Sequence, residues 1–574
     1  MSDEESAQNP TILNDEAELA RMGYKQELRR ELGLMQNFGV SFSIISVITG
    51  IPSLFLYGLQ TGGPAGMFGG WIVTHSLLHD GCWAGNGRDL QRSSYLWWTI
   101  FLGRNIAPDF PVFDRSSQAA MLSPPKKAPI ASWITGWFNL LGQVAVTTGP
   151  FAVTEYNFKK IQHDPILGIS FACASFISTL STFNTGFVPT ANTQIGVYAA
   201  VLFSQGLINT FGVSVLHWLN NISVAWHAIG TFSLVVAVLV KAPTHQSAHF
   251  VFQTFIDGTG GWSERASPAY VAIIGILMAQ YTLTGFDASA HMTEETTNAA
   301  MSGSIGNIYI LFHNVYSHVG TAGIIMAIGV SALLGLFLLL GPLFSIQDLD
   351  NTINSPTGQP VAQIFLDCVG EEGAIVLMII VIGAMYFCGT FSVTSNSRMM
   401  FSFARDNGIP GSKFFAYVNT SWKSPIRTVW LACTLSFILG LPSLGSSVAF
   451  SAATSIATIG LYTSYGIPIA LRLIYRKKFV RGPFHLGVFS SPIAAGRTHR
   501  ELLMPSADVL YVTETPVTSK SLNYAVVAVG IVIVFSAGYW LLSARNWYTG
   551  PIRQIAAEES GVKVMEPGAV GEYQ

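Results

Sequence analysis

The chain has 574 residues, and Asp, Glu, Lys and Arg make up only 11% of them, where a soluble globular domain carries about 25%. Half of the residues are hydrophobic, the mean hydropathy is +0.43 and the net charge is −2. These figures exclude a soluble globular or disordered chain, and they give no basic footprint for nucleic acid. The five cysteines (Cys82, Cys173, Cys368, Cys388 and Cys433) are scattered without CxxC spacing, so neither a disulfide framework nor a metal site is suggested. A polytopic, all-α integral membrane protein remains.

Residues 1–37 are polar and lack the pattern of a signal peptide. Lys25, Arg29 and Arg30 precede the first apolar run, which predicts a cytoplasmic N-terminus. A span needs about 20 mostly apolar residues. Runs that qualify are 38–60, 130–149, 195–213, 221–241, 268–290, 322–345, 373–397, 428–441 with its flanks, 447–471 and 522–543. Weaker apolar starts at 64–73 and 484–494 collapse into polar sequence. The loops 398–427 and 472–481 are basic, so both are expected in the cytoplasm. An even number of spans must then precede residue 398. Seven clear runs do, and the missing one is expected within 64–103.

The first and sixth spans echo each other. SVITGIPS (46–53) and YTLTGFDAS (281–289) both place Thr-Gly mid-span, at Thr49-Gly50 and Thr284-Gly285. Interrupted apolar segments at matching places in two halves point to a transporter site. The alternative is that each glycine allows close helix packing.

Asp287 is the one acid in the run 268–290. An ionisable group at that depth is a functional candidate, either as a ligand contact or as a cap bonding the backbone N–H groups just C-terminal to it. His227 lies inside the run 221–241 and is a candidate proton site or a satisfied core histidine. Glu294 and Glu295 read as solvated helix-end charges able to reach the basic loops. No HExxH, GxSxG or Walker sequence occurs, so no enzyme is indicated.

Four segments carry a resemblance: APIASWITGWFNLLGQVAVTT (128–148), QYTLTGFDASAHMTEET (280–296), FCGTFSVTSNSRMMFSFARDNGIP (387–410) and LSARNWYTGPI (542–552). The chain resembles the amino-acid/choline transporter branch of the amino acid–polyamine–organocation superfamily, and is similar to fungal GABA permeases and plant bidirectional amino-acid transporters. The resemblance implies a LeuT-like fold, two inverted five-helix repeats plus two extra helices, with alternating access around a site where the first and sixth spans unwind. It implies that Ser46, Thr49, Gly50 and Ile51 offer backbone N–H groups to a substrate carboxylate. Thr284, Gly285, Phe286 and Asp287 would frame the amino end, with Phe286 as a gating aromatic. No cofactor and no metal are implied; the partners would be an amino acid, GABA or related amine, a coupled proton and the bilayer.

Relative to that pattern, the second span, the loop after it and the start of the third are missing at 75–121, and the eleventh span at about 494–513. Polar inserts interrupt 150–168 and 307–323. Read one nucleotide forward, 80–103 permits an apolar span, with Trp83-Ala84 and Trp97-Trp98-Thr99 forcing glycines. Residues 496–513 behave likewise. Residues 75–121 are therefore expected to be irregular or poorly packed. The expected organisation is a cytoplasmic tail (1–37), a permease domain (38–544) and a second cytoplasmic tail (545–574), with twelve spans of which two are degraded. The expected function is secondary-active transport. The alternative is a non-transporting sensor of the same fold, or the product of a shifted reading frame.

Overall fold

The computed structural model describes residues 26–76, 115–148, 169–183, 187, 189–297, 319–444, 447–475 and 525–550. Every described element is a helix; β-structure is confined to two isolated bridges, Leu32 with Thr296 and Thr61 with Asp257. Helices satisfy their backbone groups internally, which is what an apolar chain crossing lipid requires.

Each of the ten apolar runs contains helix. The first is broken into α1 (Leu34–Ile44), α2 (Val47–Ser53) and α3 (Phe55–Gln60), and α4 (Gly63–Ser76) comes after it. Next come α5 (Arg115–Met121), α6 (Ala128–Thr148), α7 (Ile169–Leu180), α8 (Ala191–Thr210) and α9 (Val213–Lys241). A loop with short helices α10 (Ala248–Gln253) and α11 (Trp262–Arg265) leads to the second broken span: α12 (Pro268–Gly275), α13 (Leu277–Thr282) and α14 (Ala288–His291). The remainder is α15 (Val319–Ser345), α16 (Leu349–Ile353), α17 (Pro360–Arg405), α18 (Ser412–Phe415), α19 (Ile426–Gly440), α20 (Ser447–Ile474) and α21 (Ala525–Leu542). Non-helical Gly370, at φ 72°, kinks α17 near its start.

The packing is inside out relative to a soluble protein. On α9, Asn220, Ser223, His227 and Thr231 are buried, while Trp218, Ile229, Phe232, Val236 and Val240 are exposed. The polar stripe recurs every three to four residues and faces the bundle; the apolar face is left for lipid. Helices α9, α15 and α17 and the stretch Leu34–Ser53 are long and apolar enough to cross a membrane.

Two sequence expectations change here. Residues 115–121, expected to be irregular or poorly packed, form α5, with Ser116, Ser117, Gln118, Ala119 and Ala120 buried. The polar run before it hid a local helix that tertiary packing stabilises. Helix α7 is absent from the expected elements, because polar residues precede it and it is only 12 residues long. The segments 77–114, 149–168, 298–318 and 476–524, which hold most of the second-span and eleventh-span expectations and the two inserts, lie outside the described residues, as do residues 1–25 and 551–574.

The ends of the first span are tied by backbone. At one end Glu31 and Leu32 N–H donate to the Glu295 carbonyl (3.0 and 2.9 Å), and Thr297 N–H donates to the Leu32 carbonyl (2.8 Å). At the other, Gly62 N–H donates to Ile256 (2.9 Å) and Gly258 N–H to Gln60 (2.8 Å). Asp257 organises the loop there by accepting from the N–H groups of Thr259 and Ser263, both at 2.9 Å. Burial pushes its carboxyl up, but the hydrogen bonds from Thr259 and Ser263 outweigh that and hold it down at about 2. A depressed carboxyl stabilises the fold above its unfolded value and loses that effect only as pH falls through about 2, so this tie persists at physiological pH.

Candidate functional site

The two broken spans meet at their breaks. In the first, α1 ends at Ile44, Ile45 leaves the helical region, and Ser46 is extended at φ −69°, ψ 115° before α2 begins. In the sixth, α13 ends at Thr282 and the chain passes through Gly285 at φ 91° before α14. A Cβ on Gly285 would lie 2.6 Å from Ile44 Cγ2, so the two interruptions are in contact.

The halves on one side of the breaks are stitched by polar side chains. Ser41 Oγ donates to the Phe286 carbonyl (2.8 Å) and accepts from Ser289 N–H (3.0 Å), with Ser289 Oγ in contact beside it. Asn37 Nδ2 donates to the Ser289 carbonyl (3.1 Å), and Ser289 Oγ donates to the Asn37 carbonyl (3.0 Å). On the other side, α2 and α13 cross closely. A Cβ on Gly50 would lie 2.5 Å from Thr282 Oγ1 and 2.8 Å from Thr282 Cα.

This corrects the expected place of the first break. Gly50 is inside α2, and its lack of a side chain serves the crossing with Thr282. The chain opens at Ile45 and Ser46 instead. It also changes which groups face the gap. The N–H groups of Thr49 and Gly50 donate to the Ser46 carbonyl (3.1 and 3.0 Å), as does Thr49 Oγ1 (2.7 Å). Thr284 Oγ1 likewise returns to the Gln280 carbonyl (3.0 Å). The head of α2 around Ser46, rather than Thr49 and Gly50, is therefore nearest the opening, with Ile51 buried one turn further on.

Two further helices close the breaks. Cys388 of α17 donates its thiol to the Ile44 carbonyl (3.1 Å), one of the groups that the end of α1 leaves without a helical partner. From α20, Tyr462 Oη donates to the Gln280 carbonyl (3.1 Å), and Tyr465 Oη donates to Asp287 Oδ1 (2.7 Å). The Tyr465 ring packs on Phe286, centroids 4.6 Å apart.

Asp287 is wholly buried and heads α14, yet its side chain makes no capping bond to the helix backbone. The capping alternative is thus not what this carboxylate does. Its Oδ2 faces His291 Nε2 at 3.2 Å and Arg115 Nε at 3.7 Å. The Arg115 guanidinium also lies 5.1 Å from the Tyr465 ring centre. His227 is buried on α9, with Nδ1 2.7 Å from the Ser223 carbonyl and its ring edge-on to Phe42 (5.9 Å).

The buried side-chain atoms without a hydrogen-bond partner include Ser46 Oγ, Tyr281 Oη and His227 Nε2. Such a group costs about 1–3 kcal/mol when nothing satisfies it, and two of the three lie beside the breaks. The described residues hold no cluster of His, Cys, Asp and Glu able to bind a metal.

Glu294 and Glu295 make the expected salt bridges to the basic segment 398–427, but they are withdrawn from solvent rather than solvated. Arg398 Nε lies 3.0 Å from Glu295 Oε1 and Arg405 Nη2 2.7 Å from Glu294 Oε1, with all four side chains nearly or fully buried. The arginines come from the end of α17, so packing of that helix supplies the partners that remove the acids from water.

Sequence reasoning missed Ser41, Gln143, Tyr281, His291, Cys388 and Tyr465. Only His291, four residues after Asp287, carries a local signal, the i, i+4 spacing of one helix face. Ser41 and Tyr281 are on the broken spans themselves, whereas Gln143, Cys388 and Tyr465 are brought in by α6, α17 and α20, distant in sequence.

The family model described as "Amino acid permease" matches residues 116–535. The chain is 36% identical to amino-acid permease BAT1 of Arabidopsis thaliana over 561 residues, covering 95% of this chain and 98% of that one. It is 38% identical to the BAT1 homolog of Oryza sativa subsp. japonica over 554 residues (94% and 96%), and 28% identical to amino-acid permease 2 of Neurospora crassa over 561 residues (96% and 92%). A solved structure of Mhp1, a nucleobase-cation-symport-1 family transporter in a closed conformation with bromovinylhydantoin bound, aligns at TM-score 0.45 with 10% identity, over 89% of this chain and 96% of that one. The chain therefore belongs to the amino acid permease family.

Proposed function

We propose that the chain is a secondary-active permease that moves an amino acid, GABA or a related amine by alternating access around the paired breaks. The observation that carries this reading is the contact between the two interruptions, Ile44 to Ser46 against Gly285, deep in a bundle whose polar faces point inward. A helix N-terminus favours anionic groups, so the head of α2 at Ser46 suits a substrate carboxylate, with Ser46 Oγ as a side-chain contact. Thr49, Gly50 and Ile51 shape the wall behind it. Thr284, Gly285, Phe286 and Asp287 form the opposite wall, where Phe286 is the gating aromatic and Asp287 sets the charge at the amino end.

The finer parts of the reading obey the same logic. The architecture proposed is two inverted five-helix repeats plus two helices, with both termini cytoplasmic, tails at 1–37 and 545–574 and the permease domain between them. A proton is the proposed coupling ion, with His227 as its site; support comes from the unpartnered Nε2 of a buried imidazole beside the first span.

Binding of radiolabelled GABA, alanine, glutamate and arginine to the purified full chain tests the site. Ser46→Ala is expected to weaken binding of the accepted compound roughly 10-fold or more, the loss for one hydrogen bond to a charged group. Unchanged affinity in a folded Ser46→Ala variant moves the site away from the breaks.

A further inference from the structure

Beside the breaks, one imidazole nitrogen is shared by two partners that it cannot serve at once. His291 Nε2 lies 3.2 Å from Asp287 Oδ2 and 3.4 Å from Gln143 Nε2. An ionised carboxylate only accepts, and the amide nitrogen only donates. With a proton on Nε2, His291 has Asp287 Oδ2 to turn to, an oxygen without a hydrogen-bond partner as the side chains stand; without one, as the Nδ1–H tautomer, it accepts from Gln143. Asp287 and His291 are on the same half of the sixth span, whereas Gln143 is on α6, a different helix. The proton therefore decides whether this half-span is tied to α6 or closed on itself.

We propose that His291 is a proton-binding switch, in which proton uptake at Nε2 releases the tie to Gln143 and forms an internal ion pair with Asp287. This rests on the transport reading above and adds to it a second titratable group, at the moving element itself. The step balances simply: an O–H bond of hydronium breaks as the Nε2–H bond forms, leaving water, and Gln143 keeps its N–H while losing Nε2 as acceptor.

The surroundings supply few rivals. From α20, Tyr465 donates to Asp287 Oδ1 and Tyr462 donates to the Gln280 carbonyl. From α5, Arg115 faces Asp287 Oδ2. From α17, Arg398 and Arg405 are held by Glu295 and Glu294, at the far end of the same segment. Helices α1 and α15, which also pack on α14, contain no titratable side chain. Fixed charges thus frame the pair, and His291 is the one imidazole among them.

The test is solid-state 15N NMR of the full chain, labelled at histidine and reconstituted in lipid, recorded from pH 5 to 8. This readout does not depend on transport. The resonance lost in His291→Gln is expected to pass from neutral imidazole to imidazolium within that range in the wild type and in His227→Asn. Gln143→Leu, which keeps the histidine and removes its α6 partner, is expected to displace the midpoint by roughly half a pH unit or more, the equivalent of one hydrogen bond. A His291 resonance that keeps one form throughout, or a midpoint unmoved in Gln143→Leu, overturns the switch. Uptake of a substrate together with an untitrating His291 would reject the switch and leave the transport reading standing. A titrating His291 in a protein that takes up nothing would do the reverse.

Discussion

Gly285 packs against Ile44, so the gap of the sixth span rests on the residue at which the first half-helix ends. The contact needs both a backbone at φ 91° and the absence of a side chain. Gly285→Ala is expected to lose about 1 kcal/mol or more from backbone strain alone. A further loss comes from a Cβ placed 2.6 Å from Ile44 Cγ2. Thermal unfolding in detergent, alongside substrate binding, measures both; a wild-type midpoint with intact binding would show that the breaks do not meet as described.

Gly50 makes a separable prediction. If it serves the crossing of α2 and α13, Gly50→Ala destabilises by about 1–3 kcal/mol through overpacking. Thr282→Ser does not rescue it, because the backbone Cα of Thr282 is itself 2.8 Å from the new methyl. Unfolding midpoints of the single and double variants measure this; a wild-type midpoint in Gly50→Ala would show that α2 and α13 do not cross as closely as described.

These two glycines show what was legible in the sequence. Apolar periodicity and length located ten helical runs, because lipid imposes both on a spanning helix. The Thr-Gly echo located the site, yet it did not distinguish a break from a close crossing. Gly285 is the former and Gly50 the latter, and the difference is made by Ile44 and Thr282, each more than 200 residues away in sequence. The same holds for Asp287, whose partners Tyr465 and Arg115 come from helices that no local pattern links to it. The charges of Glu294 and Glu295 were legible as partners of the basic segment 398–427, but their burial was not, since it comes from the packing of α17, which carries Arg405 and Arg398.

Those ion pairs lock the end of the sixth span to α17. Removing one partner of a buried pair costs about 3–5 kcal/mol, because a charge is left without compensation. Glu295→Gln and Arg398→Met are each expected to destabilise strongly. The double variant is expected to lose less than the sum, a coupling that a double-mutant cycle on unfolding midpoints reads directly. Additive losses would show that Glu295 and Arg398 do not interact.

His227 predicts a pH effect without a folding effect. If it carries the coupled proton, uptake varies with pH and His227→Asn flattens that variation while the unfolding midpoint stays within about 1 kcal/mol of wild type. An unchanged profile in the variant would assign the imidazole to packing against Phe42 and the Ser223 carbonyl alone.

The central claim, that this chain moves amino acids or amines through the paired breaks, is tested most directly by uptake into proteoliposomes. The purified full chain is reconstituted and offered radiolabelled GABA, alanine, glutamate and arginine in turn. The account predicts saturable accumulation of at least one of them above empty liposomes, reduced roughly 10-fold or more in Ser46→Ala, the effect of one hydrogen bond to a charged group. Folded, reconstituted protein that accumulates none of the four would contradict the claim, as would uptake that Ser46→Ala leaves unchanged.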